Sequence, residues 1–466
     1  MLFYLHKIHY IDDVRQKQKD KRKEIEQCAQ MERKGIMSES CLSRLSEVLS
    51  EIQYEKIPDD VVEKATQCFM DFCGILYGGS RKEMSRKLEG SIDHNAIPNE
   101  EELALWMASS ARTLDLDDGH RYAMAHPGVV IQAAAIAVSM NAKNEISGKQ
   151  FLEAIIKGYE VYCYQGRIIN PGAYLKRGID ATCACGAGAA AAVTASLLGY
   201  DKKQTEDAIS LAAAVAGGLN QSAIDGSAQK YLVAGYGAKI GISAAKIAGC
   251  GLGGPAHIFE GKLGFANAFC PDPNKEVMDT PCIRWDVANT YLKIHACVRR
   301  IHATLDAVKK IMEEHDLQEK DILNVTVYGG PFLCDAATYE PKDAAQAQTS
   351  VPYTTAILMK YGCVTDDLVE ESIGTPELQE IMKKIKVSLD AEIKAMGEKD
   401  KSLWGAARVE IETVTGERYE ELKTVPDGEK ETPFAETVIL DKFVRNTSAV
   451  LKKDEAVKLW DQLKKI

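Results

Sequence analysis

Gly186-Ala-Gly-Ala-Ala-Ala-Ala-Val193 carries no side chain larger than valine. A helix this bare lets neighbouring backbones come close, and it has no polar face to offer water. Two further stretches read the same way, Gln132-Ala-Ala-Ala-Ile-Ala-Val138 and Leu211-Ala-Ala-Ala-Val-Ala-Gly-Gly218. Close packing accounts for all three, and they predict the middle of an all-helical bundle. Outward from them, Cys41-Leu-Ser-Arg-Leu-Ser-Glu-Val-Leu-Ser-Glu-Ile52 repeats apolar residues at steps of three and four. Pro58-Asp-Asp reads as a helix opening with acids in its first turn, and Val61 to Leu76 carries a second amphipathic stripe.

The pattern changes after Pro271. Ile322-Leu-Asn-Val-Thr-Val-Tyr-Gly-Gly330 and Ala407-Arg-Val-Glu-Ile-Glu-Thr-Val-Thr-Gly416 alternate like strands that end in turns. Helical patterns lie between them, at Tyr353–Tyr361 and Pro376–Leu389. From Phe434 the chain is helical again, and so short a tail needs a core to lean on. The expected fold is mainly α, with a large all-helical domain built from both ends of the chain and a smaller α+β lid domain. The expected divisions are a charged extension over 1–37, helical domain over 38–271, lid over 272–428, and a second helical part over 429–466.

Composition narrows the function. The chain has 466 residues and a formal net charge of −11, with 45% hydrophobic and 27% charged residues. Those proportions suit a soluble globular enzyme. The acidic balance argues against nucleic acid and anionic membranes as partners. No apolar run approaches the roughly 18 residues of a membrane span. The 13 cysteines are scattered, odd in number and without a Cys-x-x-Cys pair, which fits free thiols in a reducing cytoplasm. It also argues against an iron–sulfur cluster or a zinc site. The dense charged run Arg15–Glu24 lacks the apolar core of a secretory signal and carries acids that a transit peptide avoids.

Gly249-Cys-Gly-Leu-Gly-Gly254 matches the spacing of a dinucleotide loop, but a helical pattern precedes it and Pro255 follows it. A dinucleotide site needs a strand before the glycines and a helix after them, so the expected structure is a helix-ending turn. Leu114-Asp-Leu-Asp-Asp-Gly-His-Arg-Tyr-Ala-Met-Ala-His-Pro-Gly128 says more. Acids, histidines and an arginine crowd together there in front of an apolar helix. Charge this dense beside a buried element is costly unless it is paired or serves a site. Proline after His126 fits a helix opening, which sets that histidine at the positive end of the helix.

This acidic, His-Pro segment resembles the signature of the MmgE/PrpD family, which includes 2-methylcitrate dehydratase, cis-aconitate decarboxylase and iminodisuccinate epimerase. Further segments resemble the family in the same order. They are Gly226–Gly241 around Lys230, Gly251-Leu-Gly-Gly-Pro255 with Phe259-Glu-Gly261 and Gly264-Phe265, Leu292–Asp306, Ser350-Val-Pro-Tyr353, and Asp427-Gly428 with Pro433. The resemblance covers the chain from about Ser38 onward. It implies a site between the helical body and the lid, with Asp115, His126, Lys230 and His302 as catalytic residues and no cofactor. Two departures stand out. Gly119, followed by His120 and Arg121, replaces the threonine of the decarboxylase-like pattern, and Asp180 stands where a histidine is expected.

The family's reactions pass through a carbanion-like centre beside a carboxylate. That chemistry needs a base near a carbon-bound proton and positive groups where charge builds. His126 and His302 are the acid/base candidates, with His295 competing for the second role. Lys230, Arg121, His120 and Asp180 are the expected substrate contacts, and Asp115 could orient a histidine. A mononuclear metal on Asp115, Asp118 and His126 has no compact ligand motif behind it, and none is expected. The leading expectation is a cytoplasmic, homodimeric lyase, a dehydratase or decarboxylase, acting on a small di- or tricarboxylate. An epimerase-type isomerase and a non-catalytic helical binding protein are the alternatives.

Overall fold

The computed structural model describes residues 39–92 and 99–466. The charged extension read over 1–37 lies outside the described residues. Helices dominate the first part of the chain: α1 (Cys41–Glu51), α2 (Asp59–Ser80), α3 (Glu100–Arg112), α4 (Pro127–Asn141), α5 (Gly148–Ile169), α6 (Ala181–Leu197), α7 (Lys202–Val215) and α8 (Gln229–Gly249). Their starts are written in the sequence. Ser40, Asn99, Ser147, Asp180 and Asp201 each accept a backbone N–H from the first turn they cap.

α6 is the centre of the bundle. Every residue from Ala181 to Ala195 is buried, and α4, α5, α7 and α8 pack around it. A Cβ on Gly241 of α8 would lie 2.4 Å from the Ala187 carbonyl oxygen, so the two helices meet backbone to backbone. α8 stops at Gly249, and Gly251 takes the left-handed φ of +85° that releases the chain from the helix. The tempting glycine loop is therefore a helix end.

The later part holds α9 (His302–Glu314), α10 (Val351–Tyr361) and a four-stranded sheet. The strands are β3 (Ile322–Gly329), β4 (Ile385–Leu389), β5 (Ala407–Thr413) and β6 (Arg418–Lys423), in the order β4-β3-β5-β6. β3 and β4 run parallel, and the other pairings are antiparallel. The helix expected over Pro376–Leu389 ends at Met382, because Ile385-Lys-Val-Ser-Leu389 is drawn into the sheet beside β3. Propensity over five residues yields to the pairing of a whole edge.

Two features brace the acidic segment. A two-residue ladder pairs β1 (Gly119–His120) with β2 (Thr290–Tyr291). The tail helices α11 (Glu436–Thr447) and α12 (Lys453–Leu463) lean on α2. From α11 the buried Lys442 reaches Asp71 at 2.6 Å and donates to the Leu116 carbonyl at 2.8 Å. The tail thus supports the loop from below. No helix among the described residues is long and apolar enough to cross a membrane.

Candidate active site

The loop between α3 and α4 closes on itself through charge. Arg112, the last residue of α3, donates to Asp115 at 3.0 Å and to Asp117 at 2.7 Å. Lys230 on α8 donates to Asp115 Oδ2 at 2.8 Å. Lys293, just after β2, donates to Asp115 Oδ1 at 2.6 Å and to the Asp115 carbonyl at 3.0 Å. Asp115 takes a positive φ of 50°, a conformation that a well-held aspartate tolerates at modest cost. Burial works to raise its carboxyl, but Lys230, Lys293 and Arg112 outweigh it and hold the group well below the usual carboxylate range. Asp115 is therefore ionised and saturated with cations. The metal trio of Asp115, Asp118 and His126 has no claim on it.

His126 is the other end of the same network. Its Nδ1 lies 2.9 Å from the Asp118 carbonyl oxygen and 3.1 Å from Asp117 Oδ2. Both are acceptors, so Nδ1 carries the hydrogen and Nε2 keeps a free lone pair. Burial, and then the Arg112 charge, push the imidazole below its ordinary pKa, with Asp117 pulling the other way. Asp118 serves the helix instead. It accepts the Gly128 N–H of α4 at 2.8 Å and the Tyr159 hydroxyl at 2.5 Å. Burial lifts its carboxyl to about 7.

Lys230 has a second partner that the sequence did not announce. Gln348, just before α10, accepts from Lys230 Nζ at 2.7 Å and donates to the Thr113 carbonyl at 3.1 Å. Burial lowers the Lys230 ammonium from its ordinary value, against the pull of Asp115. Asp115, His126 and Lys230, from two distant segments, are thus joined through Arg112 and Asp117. Lys293 and Gln348 join them. Lys293 lies inside the Leu292–Asp306 segment, where nothing in the sequence signals its full burial. Gln348 could not have been found from spacing at all.

The remaining expected residues stand elsewhere. His302 opens α9 with its Nε2 facing the Cys297 carbonyl at 3.3 Å and its ring against His295. It is 1% exposed and makes no hydrogen bond or ion pair with the Asp115–Lys230 set, although the Lys293 charge acts on it from a distance. Asp180 caps α6 through the Thr182 N–H at 2.9 Å and lies within electrostatic reach of Arg112. Arg121 pairs with Glu431 and, at 3.8 Å, with Glu429.

His120 is fully buried and faces Asp286 at 3.3 Å. With Cys163, these two place ligand-type atoms within 4.8 Å of one another. The hydrogen bonding speaks against a metal there. His120 Nδ1 accepts the Ala123 N–H at 3.1 Å, so the neutral ring carries its hydrogen on Nε2, the atom that faces Asp286. A metal-bound imidazole would use the other tautomer and donate from its far nitrogen. Asp286 already receives Arg167 at 2.5 Å. His120, held by the Ala123 N–H, and Asp286, held by Arg167, support the β1 turn.

Comparison with known proteins settles the family. The MmgE/PrpD N-terminal domain description matches residues 43–278 and the MmgE/PrpD C-terminal domain description matches residues 295–464. The chain belongs to the MmgE/PrpD family. Among its relatives is the cis-aconitate decarboxylase-like protein oryM of Aspergillus oryzae (strain ATCC 42149 / RIB 40), 25% identical over 443 residues, which covers 87% of this chain and 90% of the relative. The cis-aconitate decarboxylase of Aspergillus terreus (strain NIH 2624 / FGSC A1156) is 26% identical over 462 residues, 92% of each chain.

Packing gives the departure at Gly119 a physical reason in this MmgE/PrpD protein. A Cβ there would lie 2.2 Å from the Tyr291 hydroxyl oxygen. The tyrosine of β2 occupies the space that a side chain at 119 would need. Gly119→Thr is therefore expected to destabilise the protein by about 1–3 kcal/mol in urea unfolding, the range of overpacked cores. Combining it with Tyr291→Ala should recover part of the loss. A single variant as stable as the parent would contradict this packing.

Proposed function

We infer that this chain is a lyase that removes carbon dioxide or water from a small di- or tricarboxylate. The observation that carries the reading is the balance of the buried network. Three cations, Arg112, Lys230 and Lys293, face two carboxylates, Asp115 and Asp117, with a neutral His126 beside them. The clustered cations favour an anionic ligand and the negative charge that develops beside a carboxylate as a C–C or C–H bond breaks. Lys230 is the cation with exposure to spare, at 11% of its side chain, and it receives the substrate carboxylate. In dehydration the bare His126 Nε2 takes the carbon-bound proton; in decarboxylation Nε2 must first gain a proton, because carbon gains one as carbon dioxide leaves. Asp115 and Lys293 hold Lys230 in place, and His302 supports the turn before α9. No cofactor enters this scheme. The names of the Aspergillus relatives favour decarboxylation over dehydration.

The test is a screen of aconitate-like, citrate-like and aspartate-derived acids, with and without a chelator, followed by proton NMR in deuterated water. Loss of carbon dioxide or water from one of the first two classes, unaffected by the chelator, is the expected result. Deuterium entering an α-carbon with neither loss would establish the isomerase reading instead. If no acid changes, the chain is a binding protein on an inherited fold.

We carry a homodimer and a cytoplasmic location as further parts of the proposal. The Ala/Gly faces of α6 are consumed inside the chain, so they lend the dimer no support, which rests on the family alone. A single-chain mass by light scattering at micromolar concentration would reject it.

A further inference from the structure

Every other arginine among the described residues that is withdrawn from solvent has a carboxylate partner. Arg44 meets Asp279, Arg112 meets Asp115 and Asp117, Arg121 meets Glu431, Arg167 meets Asp286, Arg299 meets Glu429, and Arg408 meets Asp390. Arg300 is the exception. It is half-buried on the turn Arg299–Ile301 that leads into α9. Its guanidinium stacks 4.7 Å from the centre of the Phe332 ring, and its Nη1 donates to the Phe332 carbonyl at 3.2 Å. Tyr174 and Asp335 act on it electrostatically, Asp335 from beyond ion-pair distance. A guanidinium offers five N–H donors in a flat fork, so most of this one remains unused.

The position of this cation matters as much as its missing counter-charge. Phe332 follows β3 in the α+β part, and its ring meets Tyr174 edge-on at 6.2 Å. Tyr174 belongs to the helical part, in the short helix Gly172–Arg177 just before Asp180. Arg300 thus sits on the seam between the two parts. Two residues earlier, the Val298 N–H donates to the Gln348 carbonyl at 2.9 Å, and Gln348 is the residue that holds Lys230. The turn that carries Arg300 is therefore anchored to the support of the proposed carboxylate-binding lysine. A stacked, half-desolvated guanidinium without a paired carboxylate is unfavourable alone and becomes favourable when a carboxylate docks bidentately.

We propose that Arg300 is the receptor for a second carboxylate of the substrate, so that the site takes acids with at least two carboxylates and fixes the distal one by a fork of N–H donors over Phe332. This rests on the lyase reading for its substrate class, but it is tested by binding without turnover. The probes are the unreactive acids tricarballylate and butyrate, one with three carboxylates and one with a single one, titrated calorimetrically into the parent, Arg300→Met and Arg300→Lys. Methionine keeps the apolar stem on Phe332, and lysine keeps the charge but loses the fork. The expected result is that tricarballylate binds the parent at least ten times more tightly than butyrate. Arg300→Met should lose at least tenfold for tricarballylate and leave butyrate unchanged, with Arg300→Lys in between. Circular dichroism and thermal melting of each variant identify any that fail to fold, and the folded lysine variant is enough by itself to decide the question. Equal tricarballylate affinity in the parent and a folded variant overturns the proposal. So does a parent that binds both acids equally or binds neither. Arg300-dependent binding in a protein that transforms no acid would leave this subsite standing and defeat the lyase reading instead.

Discussion

Lys293→Met is expected to cost about 3–5 kcal/mol of stability and to lower turnover by roughly 10²-fold or more. Lys293 has no exposed surface and serves Asp115 twice, at side chain and carbonyl, while lying 3.7 Å from Asp117. Methionine fills a similar volume, so the loss is not a cavity. It is the exposure of two buried carboxylates to a smaller share of positive charge. A buried ion pair adds little compared with apolar residues, but breaking one side of it leaves the other uncompensated. Urea unfolding of Lys293→Met measures the first part. Lys293→Met with Asp115→Asn should then unfold closer to the parent than the single variant does, because the stranded charge is gone. Activity should not return, since Lys230 would still lack its ionic anchor. Lys293→Arg should also fail, because its planar fork cannot make the same point contacts in a closed site. A Lys293→Met protein within about 1 kcal/mol of the parent would mean that Asp115 does not depend on this lysine.

The same residue shows where sequence reading reached its limit. The helical body was legible because it rests on local rules. Small residues at helical spacing, the acids Asp59 and Asp60 in a first turn, and the His126-Pro127 opening all act within a few positions. The strand Ile385–Leu389 was not legible, because its conformation is decided by β3, which is remote in sequence. The site divided along the same line. Asp115 and His126 announce themselves by crowding charge into one loop. Lys230 came from family resemblance, and no spacing connects it to Asp115. Gln348 and Arg300 are ordinary in composition and become informative only once their neighbours are known: one bridges two segments, and the other lacks the partner that its equivalents have. His120 shows the converse. It looked like a substrate contact because it sits in the charged loop, yet the bond it accepts from the Ala123 N–H and its close approach to Asp286 turn it inward.

His126→Gln is expected to reduce kcat by about 10²–10⁴-fold, the range for removing a positioned general base or acid. Glutamine can still donate toward the Asp118 carbonyl, so the fold should hold and thermal melting should move little. The pH profile carries the sharper prediction. Removal of a carbon-bound proton, the step dehydration needs, requires the neutral imidazole, and burial together with Arg112 holds the folded pKa below the ordinary 6.5. Dehydratase activity in the parent should therefore be flat from neutrality down to below 6.5 and then fall as the ring gains its proton. Asp117 is the group that opposes this shift, at 3.1 Å from Nδ1. Asp117→Asn should move the acid limb to still lower pH. The same linkage acts on stability: the unfolded chain binds this proton more readily, so the His126 contribution is lost as pH falls through 6.5 toward the depressed value. His126→Gln should flatten that part of the stability curve while abolishing the acid limb in whatever activity remains. An acid limb that persists unchanged in His126→Gln would assign the titration to another group, and the proton transfer with it.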